Sequence, residues 1–128
     1  MCSSDPFYTL TPCRLVDTRQ PNGPRGGPIL APAATRTFAL QGVCGLPAAV
    51  KAVSVNLTVT QPAAQGFLTL YPADGLAPLA SNLNFGPAQT RANNAVLVLA
   101  TDGTDRLTVF NGSNGTAHFI LDVNGYFK

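Results

Sequence analysis

Glutamate and tryptophan are absent from this chain, histidine occurs once, as His118, and all six acidic residues are aspartate. General acid–base chemistry and metal ligation draw mainly on such side chains, so little is left to run a reaction and no cofactor is expected. Charge of either sign is scarce. Asp, Glu, Lys and Arg make up 11 % of the sequence, where soluble domains average roughly 25 %. The net charge is +2 and the eight basic residues are dispersed. Without a stripe of Lys and Arg to neutralise phosphates, neither nucleic acid nor anionic membrane is expected as a partner. No apolar run reaches the roughly 18 residues that a transmembrane segment needs. Met1-Cys2-Ser3-Ser4 has neither the charged nor the apolar region of a secretory leader, so export would require a leader already removed.

What is present is apolar and rich in turns. The 128 residues suit one domain, and 45 % hydrophobic residues can build a core. The 12 glycines and 11 prolines interrupt every stretch that could form a long amphipathic helix. Strand periodicity takes its place. From Ala52 to Thr60, Val53, Val55, Leu57 and Val59 fall on one face and Ser54, Asn56, Thr58 and Thr60 on the other. Arg106 to Phe110 and His118 to Val123 show the same period, and Ala95 to Ala100 is a continuous apolar run suited to an inner strand. Tyr8 to Leu10, Arg14 to Thr18, Thr37 to Leu40, Phe67 to Tyr71 and Ser81 to Phe85 are further candidates.

Between them, Asp74-Gly75, Asp102-Gly103 and Asn111-Gly112-Ser113-Asn114-Gly115 offer turn chemistry, and Pro21 to Ala34 reads as an irregular crossing loop. About nine short strands in one domain predict an all-β fold, a single-domain antiparallel β-sandwich of jelly-roll or Ig-like type. It is expected to occupy residues 6–128, behind a flexible N-terminal segment, 1–5. The threefold repeat of a β-trefoil is not found.

Cys13 and Cys44 each sit beside a backbone-restricting residue, in Pro12-Cys13 and Cys44-Gly45. A disulfide between them would stabilise by roughly 3.5 kcal/mol in the loop-entropy model. Two buried thiols are the alternative. Scarce charge and abundant Thr, Asn and Gly favour the bridge and an extracellular or cell-surface location. No C-x-x-C spacing occurs, which disfavours zinc. Cys2 is the odd cysteine: a free thiol on a frayed terminus, a link to another chain, or the first residue of a lipoprotein.

Pro12-Cys13-Arg14-Leu15-Val16-Asp17-Thr18-Arg19 near the start and Asp122-Val123-Asn124-Gly125-Tyr126-Phe127 at the end together resemble a known bacterial family. It is a β-rich module without an assigned activity, found singly or in tandem in secreted and surface proteins of soil and environmental bacteria, often beside peptidase or hydrolase domains. Cys44-Gly45-Leu46-Pro47, the Ala52 to Thr60 strand, Gly66 to Pro72, Ser81 to Phe85 and Thr90 to Asn94 look like the same module, so the resemblance spans nearly the whole chain. It implies a secreted or surface location, and the Cys13 and Cys44 pair fits the form of the family that carries both. Cys2 lies outside the pattern.

Arg14, Asp17, Arg19, Arg36, Arg91 and Asp122 hold much of the charge, several of them within otherwise apolar strand sequence. A lone buried charge costs several kcal/mol, so such residues should be paired. Arg14, Asp17, Arg19, Arg91 and Asp122 are read as a structural ion-pair network pinning the first strand region to the last. An anion or sugar-acid site on Arg14, Arg19 and Arg91 is the functional alternative. Asn56, Asn82, Asn84, Asn93 and Asn94 could bond sugar hydroxyls but more simply satisfy backbone at bulges and turns. Of these, Asn56 and Asn84, with Tyr71, are the candidate ligand contacts. The seven phenylalanines read mostly as core. His118 lacks a serine elbow to serve, Asp102-Gly103-Thr104-Asp105 lacks the oxygen ligands of a calcium loop, and the Asn-x-Ser/Thr sequons are matches of pattern alone.

These features predict a non-enzymatic extracellular structural or adhesive module acting by protein–protein contact, with homotypic self-assembly into arrays or fibres. The expected partner is a second copy or a neighbouring surface protein. A carbohydrate- or cell-wall-binding module is the alternative. A hydrolase would need Asp17, Asp122 or Asp105 paired across a cleft at roughly 5 to 9 Å.

Overall fold

The computed structural model describes residues 6–76 and 81–128; Cys2 and the expected flexible segment 1–5 lie outside the described residues. Among the described residues eight strands form: β1 (Phe7–Asp17), β2 (Thr35–Ala39), β3 (Ala52–Thr60), β4 (Gly66–Pro72), β5 (Leu83–Phe85), β6 (Arg91–Val98), β7 (Arg106–Ser113) and β8 (His118–Phe127). One 3-10 turn spans Val43–Gly45. Among the described residues no helix is long and apolar enough to cross a membrane.

All pairings between these strands are antiparallel: β1 with β8, β2 with β7, β3 with β6, and β4 with β5. The chain is in effect one long hairpin. It is wrapped so that β8 also meets β3 and β7 also meets β4. Two four-stranded sheets result, ordered β1-β8-β3-β6 and β2-β7-β4-β5. That order decides between the two expected sandwiches in favour of the jelly roll.

The alternation read in Ala52 to Thr60 becomes the spine of the core. Val53, Val55, Leu57 and Val59 are fully buried, as are Phe119, Leu121 and Val123 beside them on β8. Leu68 and Leu70 on β4, Leu107 and Val109 on β7 and Phe38 on β2 close the core from the other sheet. Phe38 and Phe119 bridge the two layers with ring centroids 5.9 Å apart. Each such side chain contributes about 1.5–3 kcal/mol on burial.

Three expectations are corrected. Among the described residues eight strands replace about nine, because Tyr8 to Leu10 and Arg14 to Asp17 fall within a single strand, β1, with Thr18 just past its end. β1 absorbs its irregularity in register shifts between Thr9 and Cys13 and between Arg14 and Val16. Asn111-Gly112-Ser113 is not a turn but the end of β7. The apolar run beginning at Ala95 belongs not to an inner strand but to β6, at the edge of its sheet. Leu97 faces the core there, whereas Val96 and Val98 point outward at 51 % and 43 % exposure. A continuous apolar run normally signals two covered faces. Here its outward half reflects the strand preference of valine.

Candidate functional site

The register of the β1-β8-β3-β6 sheet brings residues from all four strands into rows on its outer face. Phe7, Phe127, Ala52 and Val98 form one row, followed by Thr9, Gly125, Ser54 and Val96. Arg14, Asp122, Asn56 and Asn94 form the next, and then Asp17, Ile120, Thr58 and Ala92. One end of the face is apolar and the other polar. No single stretch of sequence shows this gradient, because each row is assembled from four distant segments.

At the apolar end, the Phe7 and Phe127 rings lie 4.8 Å apart. Phe7 lies so closely over Gly125 that a side chain at Gly125 would collide with its ring. Phe67 covers Gly112 in the same way on the other sheet. The expectation that the phenylalanines are mostly core is corrected at both places, since Phe7 and Phe67 are exposed at 46 % and 37 %. These rings cover backbone that glycine leaves bare.

At the polar end, Arg14 Nε donates to Asp122 Oδ1 at 2.9 Å, tying β1 to β8, and its Nη1 donates to Asp17 Oδ2 at 3.1 Å. Asp17, only 3 % exposed, also accepts from Arg19 Nε, Arg19 Nη2 and the Arg19 backbone N–H at 3.0, 2.9 and 3.0 Å. The Arg19 side chain, and then its backbone N–H and charge, hold the Asp17 carboxyl well below the usual carboxylate range. Asp122 raises the Arg14 guanidinium above its ordinary value, and Asp17 does the same for Arg19. Every Arg and Asp in this cluster is thus occupied by another of its members.

Arg91 stands outside that network. It begins β6, at the opposite edge of the sheet, in a depression it shares with Ser81, Asn82, Asn84 and Asn93. The basic triad that an anion site on Arg14, Arg19 and Arg91 would need is therefore not assembled. Arg36, also separate, donates to the carbonyls of Gly23, Gly27 and Pro28 and lies 4.9 Å from the centroid of the Phe38 ring. It organises the crossing loop, and burial lowers its pKa.

The candidate ligand contacts are also divided. Asn56 lies on the outer face of the β1-β8-β3-β6 sheet, beside Asp122. Tyr71 and Asn84 lie on the outer face of the β2-β7-β4-β5 sheet, opposite Thr108 and Phe67 respectively. The sandwich thickness separates Asn56 from the other two. Asn82 and Asn93 satisfy backbone instead: Asn82 Oδ1 accepts from Leu70 N–H at 2.7 Å, and Asn93 Nδ2 donates to the Asn82 carbonyl at 3.2 Å.

Asp17 and Asp122 share the guanidinium of Arg14, so neither is placed as a free acid or base. Asp105 opens β7's approach from the other sheet, its carbonyl accepting from Leu40 N–H, and its buried Oδ2 has no hydrogen-bond partner. His118 Nδ1 is 2.9 Å from the Thr18 hydroxyl, which also accepts from Phe119 N–H at 2.8 Å. Among the described residues no group of three or more His, Cys, Asp or Glu comes together to hold a metal.

A polar hub that sequence reading did not single out is Asn111. It is fully buried and donates to the carbonyls of Ala31 and Gly115, each at 3.0 Å. Ser113 joins it at 2.7 Å. Its place in a sequon carries no signal of this role, and burial removes it as a surface acceptor.

No family model matches the chain. No curated protein matches it either. Solved structures similar to it include the Tobacco streak virus coat protein dimer, at TM-score 0.41 and 10 % identity over 97 % of this chain and 88 % of that one. Another crystal form of that coat protein gives TM-score 0.40 and 10 % identity over 96 % and 88 %. At this distance the likeness decides nothing about function.

Proposed function

We propose that this protein is a non-enzymatic structural module of the cell exterior that works by protein–protein contact and assembles with copies of itself. The observation that carries this reading is the outer face of the β1-β8-β3-β6 sheet. Its apolar rows join Phe7, Val96 and Val98, all half-exposed, to the small residues Gly125 and Ser54. Exposed apolar side chains at both edges of a sheet face, Phe7 on β1 and Val96 and Val98 on β6, offer a surface for contact with another molecule. A net charge of +2 provides little long-range repulsion between copies. The ionisable groups support it too, since the most buried charged cluster, around Asp17, is spent on pinning β1 to β8.

Location outside the cell is supported by the Cys13–Cys44 disulfide, whose Cα atoms are 5.9 Å apart, because such bridges persist in oxidising compartments. Polysaccharide binding is the weaker reading, since Tyr71 and Asn84 do not share a face with Asn56. Sedimentation analysis and electron microscopy of the purified protein across a concentration series test the proposal. Association or ordered polymers are expected, and a strictly monomeric species at the highest attainable concentration would refute it.

A further inference from the structure

A sandwich of two open sheets has four edge strands, and each edge presents unpaired backbone groups to any strand that approaches. Three of them are blunted. β1 is broken by two register shifts and carries Pro12 and Arg14. β2 has five residues, one of them Arg36, and β5 has three. β6 has none of these protections. It runs for eight residues in unbroken register against β3, has no proline, and has no charge after Arg91.

The hydrogen-bond parity of β6 is fixed by the bond from Leu99 N–H to the Lys51 carbonyl. In an antiparallel ladder, alternate residues turn their backbone groups to the same neighbour. Leu97, Ala95 and Asn93 therefore bond β3, whereas Val98, Val96, Asn94 and Ala92 turn their N–H and C=O groups away from the sheet. No partner inside the described chain takes these outward groups. Asn93 reaches inward instead, to the Asn82 carbonyl beside β5, and leaves the outer edge open.

We infer that β6 is a self-pairing edge, to which the β6 of a second copy adds antiparallel about a two-fold axis near Ala95. This rests on the assembly reading above and names its contact. In that register Ala92 faces Val98 of the copy and Asn94 faces Val96 of the copy, so every outward backbone group between Ala92 and Val98 gains a partner. The two four-stranded sheets become one continuous sheet, in which Val96 lies diagonal to Val96 of the copy. Charge selects the orientation. Arg91 opens β6, while beyond its end Asp74 bonds Thr101 and Asp102 is paired with Arg106. Antiparallel addition places the two Arg91 side chains at opposite ends of the junction, each toward a charge-neutral end of the other copy, whereas parallel addition would set Arg91 against Arg91.

The test combines sedimentation with residue-resolved amide hydrogen exchange at low and high concentration. The amides of Asn94, Val96 and Val98 should become protected as the protein associates, while Ala95 and Leu97 are protected throughout. Val96→Lys keeps the ladder to β3 and places like charges at the junction, so it should weaken association by at least about tenfold. Val96→Pro, which removes one outward N–H, should act likewise, and near-UV circular dichroism reports whether each variant keeps its fold. Association without protection of these amides, or undiminished in folded Val96→Lys, overturns the edge inference and leaves the assembly reading standing. Protection that is independent of concentration also overturns it, since the edge would then be covered within one chain. A monomer at all concentrations overturns both.

Discussion

The two edges of one sheet, β1 and β6, have been treated in opposite ways. β1 is the less regular strand and the more heavily fastened. Its bulges surround Pro12, its Cys13 is bridged to Cys44, and Arg14 and Asp17 bind it to β8 and to the start of the crossing loop. β6 is regular, uncharged beyond its first residue, and held by its ladder to β3 and one side-chain bond from Asn93 to the Asn82 carbonyl. Fastening an edge with bulges, proline and charge also protects it from other chains, because each device disrupts a strand-pairing template. Leaving an edge regular and apolar does the reverse. The charges of Arg14, Asp17, Arg19 and Asp122 are gathered on one side of the sheet, and what the other side offers is a surface for contact.

The largest effect should come from the β1 side. Replacing both Cys13 and Cys44 by serine removes the bridge from the strand that most needs it, and is expected to lower unfolding free energy by about 3.5 kcal/mol. Urea denaturation of the oxidised parent and the double variant measures this. Association per folded molecule should not change, because β6 is at the far edge. A loss of association in step with stability would break the comparison.

Next is Asp17→Ala, which removes the carboxylate shared by Arg14 and Arg19; because both guanidinium groups are half-exposed and can be hydrated, it should cost about 2 kcal/mol, with a matching fall in the thermal midpoint. The pH dependence follows from the sign of the shift. The folded-state pKa of Asp17 is depressed, chiefly by the Arg19 side chain. Its contribution is therefore complete above the unfolded carboxylate value of about 4 and is lost as pH falls toward the folded value. The stability difference between parent and Asp17→Ala should be constant near neutrality and should narrow below about pH 4. A difference that widened on acidification would contradict the ion-pair origin.

The contrast between the edges also shows what the sequence carried. The core faces were legible because Val53, Val55, Leu57 and Val59 alternate within a single segment, where period alone fixes the side that is buried. Arg14 and Asp122 could be paired in advance because charges inside apolar strands demand partners. Arg91 looked equivalent by the same logic, yet its strand is an edge, where a guanidinium can remain in water. Edge position is a property of sheet order. The run from Ala95 did not contain it, nor could it show that Asn56 and Tyr71 would face opposite sides of the sandwich. Asn111 was hidden for a related reason: its acceptors at Ala31 and Gly115 are brought to it by the crossing loop and the β7–β8 turn.

Phe7→Ala examines where the two edges share the outer face. The ring pairs with Phe127 and covers Gly125, but it is half-exposed, so the loss of stability should be about 1 kcal/mol. Its effect on association separates the face from the edge. If copies pack mainly through the apolar rows, removing Phe7 should weaken association at least as much as any change on β6. If they join at β6, Phe7→Ala should leave association nearly intact, and light scattering against concentration distinguishes the two.

The smallest expected change is the most discriminating for β6. Val96→Thr keeps the shape and the strand preference of valine and exchanges one outward methyl for a hydroxyl at a half-exposed position. Stability should move by no more than about 0.5 kcal/mol, measured by urea denaturation. Pairing through backbone groups depends on the N–H and C=O of residue 96, which this substitution does not touch, so association should persist with only a modest loss. Packing through the valine side chains would instead lose contact and desolvate a hydroxyl without a partner. The ratio of the association constants of Val96→Thr and Val96→Lys therefore reports which bond holds the copies together. A large ratio fits a hydrogen-bonded edge that tolerates shape-preserving change and rejects charge, and a ratio near unity would require the contact to be made by the side chain itself.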